Sequence, residues 1–226
     1  MKPDNPWLSF ENGTLADLEL FLSAALADYP IRVLLNGEDW GLTACQILAA
    51  TPPGIDLRVL FLRGTLLGDG GIQVLASAKV LESVRSLAIE RCGLTDLGVQ
   101  ALANSPYLSQ LGELYLCNRH GVETGPLNQI GDPGAMALAA SPNLGQLEKL
   151  DLWNTQVGDR GLEAIVLSPR LARLSSLTAW ETRLTPQGAR RLKTLVKERW
   201  ENRQKLVSAP AYCWIFTDYD QRIITY

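Results

Sequence analysis

Apolar residues recur along this chain in a fixed block, not in one long helical or alternating run. The clearest block reads Leu147-Glu148-Lys149-Leu150-Asp151-Leu152-Trp153-Asn154-Thr155, then Gln156-Val157-Gly158-Asp159-Arg160-Gly161-Leu162, then Ser168-Pro169-Arg170-Leu171. Alternation in Leu150-Asp151-Leu152 predicts a short strand with its leucines turned inward and the residues between them turned outward. The Gly-Asp-x-Gly corner predicts a helix start, with the aspartate as N-cap. Leu162 and Ile165 would face the core from that helix, and the Ser-Pro step would end it. The same block is read at Leu111-Leu114-Leu116, at Leu87-Ile89, at Leu57-Leu60-Leu62 and at Leu174-Leu177, with a degenerate first copy at Ile31, Leu34, Leu42 and Leu48.

The corners fix the period. Asp69 to Asp96, Asp132 to Asp159, and Asp159 to Pro186 are each 27 residues, whereas Asp96 to Asp132 is 36. The fourth unit therefore carries nine extra residues, placed within 117–130, and the insertion is set at about 118–129. A three-residue strand cannot stand alone, so stacked units must pair their strands into a parallel sheet and bury one continuous leucine core.

The L-x-x-L-x-L signature and the 27-residue period resemble the leucine-rich repeat family, whose units run roughly 20–29 residues. The L-T-D-x-G-x-x-x-L-A segment, seen at Leu94–Ala103, is similar to the ribonuclease-inhibitor-like and cysteine-containing branches. The resemblance covers about residues 31–195. It implies an α/β solenoid, a right-handed horseshoe arc of about six units, and a protein partner. Thr65, Cys92, Thr155 and Thr182 take the family's asparagine-ladder position. Arg119 falls there in the interrupted unit, which is a departure.

The ends differ from the middle. Residues 1–30 are expected to form an N-terminal helical cap. Its helix over 14–29 opens on Thr14-Leu15-Ala16-Asp17, a capping box with Asp for Glu, and carries Leu15, Leu18, Leu22 and Leu26 on one face. Residues 196–226 extend the last helix and add a β-prone aromatic tail with a hairpin bridge at Asp218-Tyr219-Asp220-Gln221. The tail either covers the last repeat or presents aromatics to a partner, and an open apolar edge favours covering. Between residues 188 and 207 seven Lys and Arg face two Glu. That stretch is either a solvated face that complements the helix C-terminus or a basic surface for nucleic acid.

Composition narrows the function. Of the 226 residues 46 % are hydrophobic and 20 % charged, a globular balance, and the net charge of −3 argues against nucleic acid as the main partner. The four cysteines, Cys45, Cys92, Cys117 and Cys213, form no C-x-x-C pair, and His120 is the sole histidine, so no metal site or cofactor is expected. The N-terminus lacks a basic-then-apolar leader and no run is long enough to span a bilayer, so a reducing cytoplasm with free thiols is the expected compartment.

Outward strand positions would form a concave face. Phe61, Arg63, Glu90, Arg91, Tyr115, Lys149, Asp151, Trp153, Trp180 and Glu181 fall there, with Trp153 beside Trp180. Exposed aromatics and arginines are the usual anchors of interfaces, although the chain's own tail or insertion could cover them. His120 in the insertion is a further contact candidate, since long loops on one side of a solenoid often bind. No nucleophile and base come together in the pattern, so the chain is expected to be non-enzymatic. The expected function is protein–protein interaction through the concave face and the fourth-unit insertion, as a recognition or scaffold subunit of a larger assembly. The alternatives are regulation of a partner enzyme, as inhibitor or GTPase activator, and nucleic-acid binding through the basic C-terminal helix.

Overall fold

The computed structural model describes residues 7–24, 29–52, 54–119, 124–204, 214–217 and 220–223. The strands are β1 (Leu8–Glu11), β2 (Ile31–Asn36), β3 (Leu57–Arg63), β4 (Ser86–Glu90), β5 (Glu113–Tyr115), β6 (Lys149–Asp151), β7 (Ser176–Thr178), β8 (Trp214–Thr217) and β9 (Asp220–Ile223). Between them lie α1 (Leu15–Ala24), α2 (Leu42–Ala49), α3 (Gly68–Ala76), α4 (Asp96–Asn104), α5 (Asp132–Ala140), α6 (Asp159–Leu167) and α7 (Pro186–Gln204). The strands form one sheet in sequence order, parallel from β1 to β8, with β9 turning back antiparallel. The helices pack side by side behind the sheet, so the core is a single leucine-rich layer running the length of the array. The architecture is the expected α/β leucine-rich-repeat solenoid.

Register explains the core. Leu60, Leu87, Leu114, Leu150 and Leu177 pair strand to strand and are all buried. Each helix adds an apolar pair one turn apart, such as Leu162 and Ile165 on α6. Met136 on α5 lies off this stripe and is half exposed.

The corner aspartates work differently from the expectation. None caps its own helix; the N-cap positions are Leu67, Thr95, Gly131 and Gly158. Each carboxylate reaches the helix of the following unit. Asp69 Oδ1 accepts from Thr95 N (2.8 Å) and Gly98 N (2.9 Å). Asp96 Oδ1 accepts from Gly131 N and Gly134 N (2.8 and 2.9 Å), and Asp132 Oδ1 from Gly158 N and Gly161 N (2.7 and 3.0 Å). Asp159 accepts from Thr185 N and Thr185 Oγ1. At Asp69, Asp96 and Asp132 a carboxylate thus meets two free N–H groups at a helix start, where the helix dipole favours negative charge. The Ser of each Ser-Pro step is similarly stitched backward. Ser105 Oγ donates to Ala76 O (2.6 Å), Ser141 Oγ to Ala103 O (2.5 Å), and Ser168 Oγ to Ala139 O.

The ends are capped by strands as well as helices. The capping box forms as expected: Thr14 N donates to Asp17 Oδ2 at 2.8 Å and Asp17 N to Thr14 Oγ1 at 3.2 Å. Leu18 and Leu22 are buried beneath α1, while Leu26 lies outside the described residues. Strand β1, which precedes the helix, was not anticipated; it pairs Phe10 with Val33 and buries Phe10 against Trp40. In the first unit the inward residues are Ile31, Val33 and Leu35, so Leu34 faces the other way. At the far end β8 adds to β7, pairing Leu177 with Ile215, and the β8–β9 hairpin forms as the tail pattern suggested.

Candidate protein-binding surface

Strand alternation turns one side chain of every two away from the core, and parallel stacking sets like positions in rows. One row runs Phe61, Ala88, Tyr115, Asp151, Thr178. The next runs from Arg63 to Glu90, and the register carries it on to Cys117, Trp153 and Trp180. Backbone bonds from Asn118 N to Trp153 O (2.9 Å) and from Asn154 N to Trp180 O (2.8 Å) keep the units aligned past the strand ends. Trp153 and Trp180 therefore occupy equivalent places on adjacent units, as the sequence pattern suggested, and both are partly exposed.

Because Ala88 is small, Phe61 and Tyr115 meet across it, edge to face, with ring centroids 6.3 Å apart and planes at 73°. An arginine lies over each ring: Arg63 is 4.9 Å from the Phe61 centroid and Arg119 is 5.9 Å from that of Tyr115. Each arginine also meets a carboxylate. Arg63 Nε is 3.3 Å from Glu90 Oε2, and Arg119 Nη2 donates to Asp151 Oδ2 at 2.8 Å. Asp151 further accepts from Trp153 N at 2.9 Å. A second cluster borders this one: Glu113 accepts from Lys149 Nζ (2.7 Å), Tyr115 Oη (3.0 Å) and Ser86 Oγ (3.1 Å).

Depth separates these groups. The side chains of Glu90 and Asp151 are 2 % and 6 % exposed, whereas those of Arg63 and Arg119 are 36 % and 44 % exposed. Glu90 and Asp151 were expected to touch a partner; they point outward but are covered, and their role is to hold the arginines. Arg91 is likewise committed: its Nε and Nη2 donate to Thr124 O and Gly125 O, both at 3.3 Å. Phe61, Tyr115 and Trp153 remain partly exposed, and Lys149 and Glu181 are exposed. His120 lies outside the described residues. Asp132 is occupied by the α6 N–H groups.

Burial pushes Glu90 above the ordinary carboxylate range against the pull of Arg63 and Arg119, with Asp151 pushing the same way as burial. Glu113 is also pushed up by burial, but bonds from Lys149, Tyr115 and Ser86 outweigh this and hold it below its usual value. Burial, with the Glu113 carboxylate, pushes the Tyr115 hydroxyl up to about 12. Desolvation similarly raises the Cys45 thiol to about 12 and that of Cys92 to about 11, which leaves both protonated and unreactive at neutral pH.

The insertion is anchored at its described end. Asn128, which is buried, accepts from Cys92 N (3.0 Å) and Leu94 N (3.1 Å) and donates to Ile89 O (2.7 Å) and Leu116 O (3.0 Å). It is the ladder residue of the fourth unit. Arg119, assigned there by counting from Leu111, instead lies on the concave face. Asn118 closes the insertion's neck by donating to Asn128 O and Asn154 O. Gly125 (φ +78°) sits against Gly64 (φ +63°), and a Cβ on either would drive into the other segment.

The basic stretch on α7 is partly absorbed. Arg199 donates to Ile165 O, Val166 O and Leu171 O, and Arg191 pairs with Glu163. Cys45, Cys92 and Cys117 are free and buried. Among the described residues no group of His, Cys, Asp and Glu is arranged to hold a metal, and no helix is long and apolar enough to cross a membrane.

Residues 80–103, 127–139 and 147–166 match the family model Leucine Rich repeat. These stretches fall on three successive units, including the insertion's anchored end. None of the curated proteins matches the chain. Among solved structures, an internalin (inlF) from Listeria monocytogenes is similar at 21 % identity and a TM-score of 0.36. The alignment covers 74 % of this chain and 52 % of that one, so the chain spans about half the length of that structure.

Proposed function

We propose that the chain is a non-enzymatic protein-binding module that receives its partner on the concave face of β3–β7. The observation that carries this reading is the set of partly exposed aromatics, Phe61 and Tyr115 on β3 and β5 and Trp153 and Trp180 just past the ends of β6 and β7. Aromatics on a rigid sheet lose little conformational freedom on binding and dominate interface energetics. Leucine-rich repeats generally serve protein–protein interaction, and a recognition or scaffold subunit is the role this surface suits. A regulator of a partner enzyme would use the same face.

Residues 1–30 act in this reading as the N-terminal cap, 31–195 as the repeats, and 196–226 as the C-terminal closure. The described part of the insertion serves the scaffold more than the partner, which shifts the binding role toward the sheet. The Leu94–Ala103 segment and buried Cys92 support a place in the ribonuclease-inhibitor-like or cysteine-containing branches. Buried free thiols suit a reducing cytoplasm.

The test is capture from the native cell with the intact chain and with a Trp153→Ala/Trp180→Ala variant, alongside thermal melting of both. The expected result is a partner that the variant loses while its melting midpoint stays within a few degrees. Equal recovery by both proteins, or a variant that no longer folds, refutes the surface reading.

A further inference from the structure

The concave face carries paired charges, yet the two signs are not presented equally. In each of the three ion pairs described over β3–β6 the cation is the more exposed partner, whereas at β1–β2 Glu11 (52 %) is more exposed than Arg32 (42 %). The side-chain exposures are 36 % for Arg63 against 2 % for Glu90, 44 % for Arg119 against 6 % for Asp151, and 53 % for Lys149 against 33 % for Glu113. Within these three pairs the charges cancel but the cations stand nearer the solvent; Glu181, past the end of β7, is an exposed acid, so the cation-first surface is the part over β3–β6. We infer that the face binds an acidic segment of a protein, a stretch rich in Asp and Glu whose carboxylates pair with the outer edges of Arg63 and Arg119. This rests on the protein-binding reading above and names the chemistry of the partner.

Two further features fit that occupant. Each arginine is fixed before binding, from below by a buried carboxylate and from the side by an aromatic ring, so little side-chain freedom is lost when a carboxylate arrives. A planar guanidinium held this way keeps an edge that matches a carboxylate in bidentate fashion, which an ammonium cannot do. The rows set Arg63 two strands from Cys117, the neighbour-but-one of Arg119, about 10 Å at ordinary strand spacing. One short segment can therefore span both. Phe61 and Tyr115 between them offer an apolar floor for the segment's backbone and methylenes.

The experiment uses the full chain and fluorescein-labelled twelve-residue peptides in three sets: Asp/Glu-rich, the same sequences with Asn/Gln, and the same with Lys. Binding is read by fluorescence anisotropy at several salt concentrations. The Asp/Glu set should bind, weakening as salt rises, and the other sets should bind at least about tenfold more weakly, the loss of one charge-assisted contact. Glu90→Gln removes the buried counter-charge and should tighten acidic-peptide binding, a gain that misfolding cannot mimic. Arg63→Gln/Glu90→Gln, which leaves no buried charge unpaired, should lose about tenfold. Equal binding of the neutral or basic set, no binding of any acidic peptide, or insensitivity to both variants overturns the proposal. If a cellular partner is still lost on Trp153→Ala/Trp180→Ala while these peptide results fail, the protein-binding reading stands and only the acidic chemistry falls.

Discussion

Asp132 offers the sharpest test of how the units are joined. Its Oδ1 accepts from Gly158 N at 2.7 Å and Gly161 N at 3.0 Å, both at the start of α6 in the next unit. A bond to a charged acceptor contributes about 1.5 kcal/mol at the lower end of its range, so the two together contribute about 3 kcal/mol. Asp132 is the first residue of α5, where alanine brings no interior-propensity gain, so the expected loss for Asp132→Ala is about 3 kcal/mol, read as a lowered urea midpoint. Asp132→Asn keeps an oxygen acceptor without the charge and should lose roughly half as much. The location of the damage is the stronger readout. In native-state hydrogen exchange, the Gly158 and Gly161 amides should lose protection while the amides of α5 keep theirs. Were Asp132 a cap for its own helix, α5 would open first. That outcome, or a loss below about 0.5 kcal/mol, refutes the cross-unit account.

Two further outcomes follow from the site and the insertion. Asn128→Ala removes four buried hydrogen bonds and should cost about 3–5 kcal/mol in chemical denaturation, well above the roughly 0.5 kcal/mol of an exposed substitution such as Leu127→Ala. The two carboxylates with opposite shifts should split the pH dependence of stability. The folded chain holds Glu90 above its unfolded value, so its contribution is present below an ordinary pKa of 4.5 and is lost as pH rises through the raised value. Glu113 is held below that value, so its contribution is present above pH 4.5 and is lost as pH falls through the lowered one. Urea midpoints across pH should therefore rise for Glu90→Gln relative to the parent at neutral pH, and Glu113→Gln should flatten the acid limb. Parallel curves for all three proteins would contradict both shifts.

The repeat was legible because its period is carried by many residues at once: leucines every two or three positions, corner glycines and aspartates, and Ser-Pro steps. What joins neighbouring units was not, because it depends on which groups meet across a gap of 26–29 residues, or 35–38 across the insertion. A corner aspartate before a helix has the sequence appearance of a local N-cap, and only stacking sends its carboxylate onward. Asn128 was missed for a different reason. Counting forward from Leu111 runs into the insertion and lands on Arg119, whereas counting back four residues from Asp132 lands on Asn128. The same step back from Asp69, Asp96 and Asp159 finds Thr65, Cys92 and Thr155. On the concave face, alternation gave the direction of Glu90 and Asp151 correctly. It could not give their exposure, because long arginine side chains from neighbouring positions lie over them.

The aspartate relay has a sense of direction. Each unit extends its carboxylate forward and is met by one from behind, so at its helix start a unit depends on its predecessor. Loss of a unit on the N-terminal side uncovers the helix start of the one that follows, whereas fraying from the C-terminal side leaves the remaining helix starts covered. The relay also has an origin. Leu42 stands on the first unit where the later ones carry aspartate, and α3 begins without a side-chain cap, so the dependence starts at Asp69. Asp69, Asp96 and Asp132 each present Oδ1 to two N–H groups at the next helix start, whereas Asp159 meets the N–H and hydroxyl of Thr185 and the last unit has Pro186 at its corner, so the interior of the array is modular while the two ends cannot be exchanged.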